Sequence, residues 1–220
     1  MPAHSKIRAV LFDLDGTLAD TAPDLAYALN QTLIEAGKTA LPLEPIRAVA
    51  SNGSAPLIEL GFGRNLDKAT FEQYRQNLLS VYMNNLTRET TLMSGMESLL
   101  EQLEQNNILW GVVTNKPARF TDPLMAQLNL DQRASTIVSG DTTEHPKPHP
   151  LPLLHACKQL GTEPDECLYL GDAERDIEAG KRAEMGTIAC RFGYLAEEDE
   201  IEQWGADRII DHPQEVLAWI

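Results

Sequence analysis

The chain has 220 residues, 43 % hydrophobic and 23 % charged, which suits one globular domain or one domain carrying a sizeable insertion. Its 33 acids against 18 bases give a formal charge of −15, a surface that repels nucleic acid and anionic membrane, so an anionic ligand has to be met by a local cluster of cations. No apolar run is long enough to span a bilayer, and Cys157, Cys167 and Cys190 are too few and too scattered for a disulfide framework or a zinc site.

In chain order, Met1–Lys6 lacks the apolar core of a signal peptide, so the expectation is a cytoplasmic protein. Ala9-Val10-Leu11-Phe12 then reads as a short buried strand. It meets Asp13-Leu14-Asp15-Gly16, which cannot continue it. Two residues apart on an extended chain, Asp13 and Asp15 point to the same side, and Gly16 permits a sharp turn beside them. Paired carboxylates repel, so a cation is expected with them, and a divalent metal such as Mg²⁺ is the simplest candidate. An EF-hand reading fails, because a strand precedes the acids and the sixth and twelfth loop positions hold Leu18 and Asp24. Neither Gly-x-x-x-x-Gly-Lys nor Gly-x-Gly-x-x-Gly occurs.

Helical spacing follows. Thr21-Ala22-Pro23-Asp24 resembles a capping box ahead of Leu25, Leu29, Leu33 and Ala36, and Gly37 ends the run. Further helices are expected over Leu43–Ala50, Ala55–Leu60 and Leu66–Asn84, with no strand between Asp20 and Leu92. Residues 19–91 therefore read as an all-helical insertion. Ser94-Gly95-Met96-Glu97 reads as the cap of a helix with Met96, Leu99, Leu100 and Leu103 on one face. Strands at Ile108–Val113, Ser135–Ser139, Cys167–Leu170, Thr187–Cys190 and Arg208–Ile210 alternate with helices at Pro117–Leu128, Leu151–Leu160 and Arg175–Ala183. This alternation predicts an α/β fold, a Rossmann-like parallel sheet with helices on both faces.

Polar residues recur where these strands end: Thr114-Asn115-Lys116, then Lys147-Pro148-His149-Pro150 in a loop, then Gly171-Asp172 with Asp176 four residues on. Each alone is ordinary. Together they would gather four acids, a lysine and a hydroxyl at one sheet edge, where open α/β sheets bind ligands. His145 and His149 read as loop residues.

Asp13-Leu-Asp15-Gly-Thr17, Thr114-Asn115, Lys147-Pro-x-Pro and Gly171-Asp172-x-x-x-Asp176 resemble, in order, the four motifs of the haloacid dehalogenase superfamily. The resemblance covers the whole chain. It implies that fold's core over residues 1–18 and 92–220, with a helical cap of the type inserted between the first two motifs over residues 19–91. Within the superfamily the chain resembles phosphoglycolate phosphatases. Trp110–Pro117, Arg191-Phe-Gly-Tyr194, Trp204-Gly-Ala-Asp207 and Asp211-His-Pro213 are similar to bacterial N-acetylmuramic acid 6-phosphate phosphatases.

The resemblance implies a Mg²⁺-dependent phosphatase of a small phosphorylated metabolite, with Asp13 as nucleophile and Asp15 as general acid and base. It implies Asp13, the Asp15 backbone carbonyl and Asp172 around Mg²⁺, Asp176 acting at one remove, and Thr114 and Lys147 on the phosphoryl group. Asn115, Lys116, Arg119 and, in the cap, Arg47 are the candidate substrate-binding residues. Ala173 departs from the pattern, since many relatives carry a hydroxyl or acid there that supports the metal ligand. The acid at Asp15 separates the chain from the superfamily's dehalogenases. A sugar phosphomutase is the alternative reaction, and a non-catalytic phospholigand-binding protein has no reason to keep every catalytic position filled. No nucleic-acid or membrane partner is expected, and oligomeric state is not readable.

Overall fold

Strand β1 (Ala9–Phe12) is wholly buried and lies mid-sheet. The structure, a computed structural model, describes residues 7–220; Met1–Lys6, and with them the reading of the leader, lie outside the described residues. After β1 come β2 (Ala19–Asp20), four helices, α1 (Ala22–Glu35), α2 (Leu43–Ala50), α3 (Ser54–Phe62) and α4 (Lys68–Met83), and then β3 (Thr91–Leu92). The remaining elements alternate: α5 (Met96–Gln105), β4 (Leu109–Val113), α6 (Ala118–Gln127), β5 (Thr136–Val138), α7 (Leu151–Leu160), β6 (Cys167–Gly171), α8 (Glu174–Arg182), β7 (Gly186–Cys190) and β8 (Arg208–Ile210).

Six strands form one parallel sheet in the order β5-β4-β1-β6-β7-β8. Ala9 faces Leu109 on one side and Cys167 on the other, and this register brings the carboxyl ends of β1, β4 and β6 level. One face carries Leu11, Val113, Val138 and Tyr169 against Leu153 and Ala156 of α7 and Ala179 of α8. Helix α5 packs on β4 from the remaining elements. The chain order reverses at β1, with β4 on one side and β6 on the other, which is where open parallel sheets leave a ligand crevice.

The chain divides into two compact units, one holding the chain up to Ala19 and from Leu92 to Ile220, the other Asp20–Thr91. The second unit is built on α1, whose inward residues Leu25, Leu29 and Leu33 pack with α2, α3 and α4. Among the described residues no helix is long and apolar enough to cross a membrane.

Three local expectations are corrected. β2 and β3 are strands, paired with each other, where none was expected between Asp20 and Leu92; at two residues each they are too short to show a period. Thr21 caps nothing with its side chain, and Asp24 does not turn back to it. Instead the fully buried Asp24 carboxylate accepts from the Glu89 N–H at 3.0 Å, the Thr90 N–H at 2.8 Å and the Thr90 hydroxyl at 2.7 Å. Those donors close the far end of the same unit and outcompete a helix N–H that water can satisfy. Ser94 likewise does not cap α5; Gly95 holds the N-cap position at φ +85°, and an added Cβ there would lie 2.5 Å from the His212 ring.

Candidate active site

Asp13 leaves β1 with its N–H donating to Leu170 O of the neighbouring strand at 2.8 Å. That bond continues the sheet by one residue and fixes where the side chain emerges. Its Oδ1 lies 2.9 Å from Lys147 Nζ and accepts from the Leu14 N–H at 2.7 Å. The Leu14 amide thus serves the Asp13 carboxylate.

Lys147 is buried, and its ammonium has an acceptor for each of its three protons: Asp13 Oδ1, Asp176 Oδ1 at 2.7 Å and Tyr169 Oη at 2.7 Å. Burial, the largest influence, works to lower its proton affinity, but Asp13 and Asp176 outweigh that and hold Lys147 above the usual lysine range.

Asp13, Asp172 and Asp176, all buried, offer oxygens within 4.8 Å of one another. Asp172 accepts from the Thr17 hydroxyl at 2.9 Å and the Tyr194 N–H at 2.7 Å. Its carboxyl is nevertheless pushed up to about 7, first by burial and then by repulsion from Asp13 and Asp176, with the Tyr194 and Thr17 donors pulling the other way. A cation among the three would relieve that strain, and three hard carboxylate oxygens suit Mg²⁺. The residues present therefore fit a divalent metal. Thr17 and Tyr194 also supply the support that Ala173 cannot give; the Ala173 N–H donates to Asp176 Oδ2 at 3.1 Å.

Glycines make room for these acids. A Cβ on Gly193 would sit 2.1 Å from Asp172 Cβ, one on Gly171 2.3 Å from Asp176 Cβ, and one on Gly16 2.2 Å from Asp172 Oδ2. Gly16 also needs its φ of +87°, which side-chain-bearing residues rarely adopt.

The other sequence-selected residues fall into different places. Asp15 is buried and paired with Lys116, Nζ to Oδ1 at 2.8 Å, both side chains nearly sealed from water. Thr114 is buried at the end of β4, and its Oγ1 accepts from the Lys116 N–H at 3.1 Å. Asn115, expected on substrate, has both ends of its amide on the Lys147 backbone: Nδ2 donates to Lys147 O and Oδ1 accepts from Lys147 N–H, each at 2.9 Å. Pro146, Pro148 and Pro150 leave that loop few amides for regular pairing, so a side chain completes it. Arg119 is exposed and lies over the Phe120 ring, 4.7 Å from its centroid. Arg47 belongs to the other unit, where Nη1 donates to Asp20 Oδ1 at 2.7 Å.

Sequence reasoning placed Thr17 in the first motif without a partner among the acids, and did not single out Tyr169, Gly193, Tyr194 or Arg175 for roles. Half-buried Arg175 is attracted by Asp176, Asp13 and Asp172 strongly enough to overcome the penalty of burial. A tyrosine in an otherwise aliphatic buried strand, and an arginine between the two acids of Asp172-x-x-x-Asp176, were the available signals.

A parallel sheet whose central strand ends in a buried acid, with a lysine and two further acids from adjoining elements, defines a hydrolase core of the haloacid dehalogenase type. The family described as haloacid dehalogenase-like hydrolase matches residues 10–190, and the chain belongs to it. It is 42 % identical over 211 residues to the N-acetylmuramic acid 6-phosphate phosphatase of Pseudomonas putida, covering 96 % of this chain and 95 % of that one. It is 40 % identical over 215 residues to a phosphoglycolate phosphatase of Xanthomonas campestris, covering 96 % and 97 %. The crystal structure of a predicted phosphoglycolate phosphatase from Haemophilus somnus superposes with a TM-score of 0.87 over 99 % of each chain at 26 % identity.

Proposed function

We propose that this hydrolase is a cytoplasmic Mg²⁺-dependent phosphatase of a small phosphate monoester, working through an aspartyl-phosphate on Asp13. The observation that carries the reading is the buried cluster in which Lys147 bridges Asp13 and Asp176 at 2.9 and 2.7 Å, with Asp172 alongside. The similarity to enzymes named as phosphatases of N-acetylmuramic acid 6-phosphate and of phosphoglycolate supports the substrate class.

In this mechanism an Asp13 carboxylate oxygen attacks phosphorus as the ester bond to the leaving oxygen breaks, and Asp15 gives that oxygen its proton. Asp15 then takes a proton from the water that cleaves the acyl-phosphate, which releases inorganic phosphate and restores both acids. Lys147 stays an ammonium throughout and offsets negative charge on the nucleophile and on the incoming phosphoryl group. Thr114 contributes its hydroxyl to a phosphoryl oxygen. Asp13, the Asp15 backbone carbonyl and Asp172 would hold Mg²⁺, with Asp176 supporting, and bound metal supplies charge neutralisation at the phosphoryl oxygens. Lys116 occupies Asp15 Oδ1 in the free protein and has to leave it before that oxygen can meet a leaving group. A second anionic group on the substrate gives the ammonium somewhere to go. Phosphoglycolate and N-acetylmuramic acid 6-phosphate both carry a carboxylate. The helical unit is the cap in this reading, with Arg47 its candidate anion-binding residue.

A phosphate-release screen with Mg²⁺ over phosphorylated metabolites, including both named esters, tests the proposal on wild type and Asp13→Asn. Turnover in wild type and its loss in the variant is the expected result. Turnover of the variant at the wild-type rate would refute the nucleophile.

A further inference from the structure

We infer that Tyr169 is a positioning residue that fixes the Lys147 ammonium against Asp13 and Asp176, a role that rests on Lys147 acting as proposed above. The Tyr169 ring belongs to the apolar layer between the sheet and α7 and α8, and only its hydroxyl enters the site. An ammonium has no acceptor, so in the 2.7 Å contact with Lys147 Nζ the phenol oxygen must accept. Its own proton is then free to go to Val113 O at 2.8 Å, with Asp176 Oδ1 the more distant partner at 3.3 Å. Val113 is the last residue of β4 and directly precedes Thr114. One hydroxyl therefore ties together the end of β4, the lysine loop and the acid of α8.

With two carboxylates and a phenol as its acceptors, the ammonium has no unused proton and a single orientation. A phenylalanine would fill the same apolar volume, so packing does not explain the hydroxyl. Without it one Lys147 proton and the Val113 carbonyl lose their partner in a buried place, and Lys147 can lean wholly toward Asp176. Asp13 would then meet phosphorus with its charge less well screened. A displacement of this kind in a catalytic cation reduces turnover by about tenfold to a hundredfold, while ground-state binding through other groups changes little.

The experiment uses the full chain as wild type, Tyr169→Phe, Lys147→Met and the double variant, with para-nitrophenyl phosphate and Mg²⁺. The expected result is a kcat at least tenfold lower for Tyr169→Phe with KM within threefold. On the Lys147→Met background the same substitution should cost less than twofold, since its effect passes through the lysine. A second readout needs no turnover: the wild-type Lys147 ammonium should give a slowly exchanging ¹⁵N–¹H signal, assigned by its loss in Lys147→Met. In Tyr169→Phe that signal should broaden or vanish while the backbone amide spectrum stays folded. If Tyr169→Phe does not fold, Tyr169→Leu carries the same measurements. An unaltered ammonium signal, a kcat within twofold of wild type, or equal losses on both backgrounds would overturn the inference. Failure of wild type to hydrolyse any phosphate ester would instead strike the proposed function, and the ammonium signal would still decide the role of Tyr169.

Discussion

Replacing Asp172 by asparagine should make the metal-free protein more stable. In the fold the Asp172 carboxyl keeps its proton up to about 7, against 3.8 in an ordinary environment. The native state therefore binds that proton more tightly than the unfolded chain does. The sign follows: Asp172 costs nothing below pH 3.8, and between pH 3.8 and 7 native stability falls as the carboxylate is forced to ionise in a buried place. At about 1.4 kcal/mol per tenfold in proton affinity, the full penalty at pH 7.5 is about 4 kcal/mol, a large part of a typical domain's stability. Asp172→Asn removes the charge and keeps the shape. Its carboxamide oxygen can take the Tyr194 N–H, and its NH₂ can donate to Thr17 once that hydroxyl reverses. Because Asp13 and Asp176 share the strain and relax with it, the expected gain is about 1–4 kcal/mol. Urea unfolding in chelator at pH 7.5 and pH 5 measures it: the variant should be the more stable at pH 7.5, and the gap should shrink at pH 5. Added Mg²⁺ should stabilise wild type and leave the variant unmoved. A variant less stable than wild type in chelator at pH 7.5, or a gap of the same size at both pH values, would refute the reasoning.

Three further substitutions test neighbouring parts. Gly193→Ala should weaken Mg²⁺ affinity by about tenfold or more in calorimetric titration, because its Cβ would displace Asp172 rather than a flexible side-chain tip. Asn115→Ala removes two hydrogen bonds to the Lys147 backbone and should lower unfolding stability by about 1–3 kcal/mol, with a fall in kcat in the phosphate-release assay. Asp24→Ala orphans the Thr90 amide and hydroxyl inside the helical unit; a loss of about 2–4 kcal/mol in urea unfolding is expected, and one below about 0.5 kcal/mol would show that water reaches those groups.

What could be read from the sequence follows the range of the interaction. β1 was legible because four apolar residues stop at two acids, and Leu43–Ala50 and Leu151–Leu160 because helical spacing is local. The sheet edge as a gathering place for Asp13, Lys147 and Asp172 followed from strand–helix alternation. Side-chain partners were not legible. Thr17 and Asp172 are 155 positions apart, Lys116 and Asp15 101 apart, and nothing local says which donor meets which acid. The resemblance makes Asn115 a substrate-binding candidate, yet a proline-rich loop 32 residues on takes its amide. Thr21 and Asp24 have capping chemistry, but a buried Thr90 amide is the more demanding donor.

β1 has a hydrogen-bonded neighbour along each edge and no exposed residue. Its amides cannot fray from a sheet margin, so their exchange with solvent deuterium should require the whole core to open. Asp13 hangs from that last-melting segment. Inactivation by heat or urea should accordingly run together with loss of the fold, leaving no stage at which the body of the protein survives with Asp13 adrift.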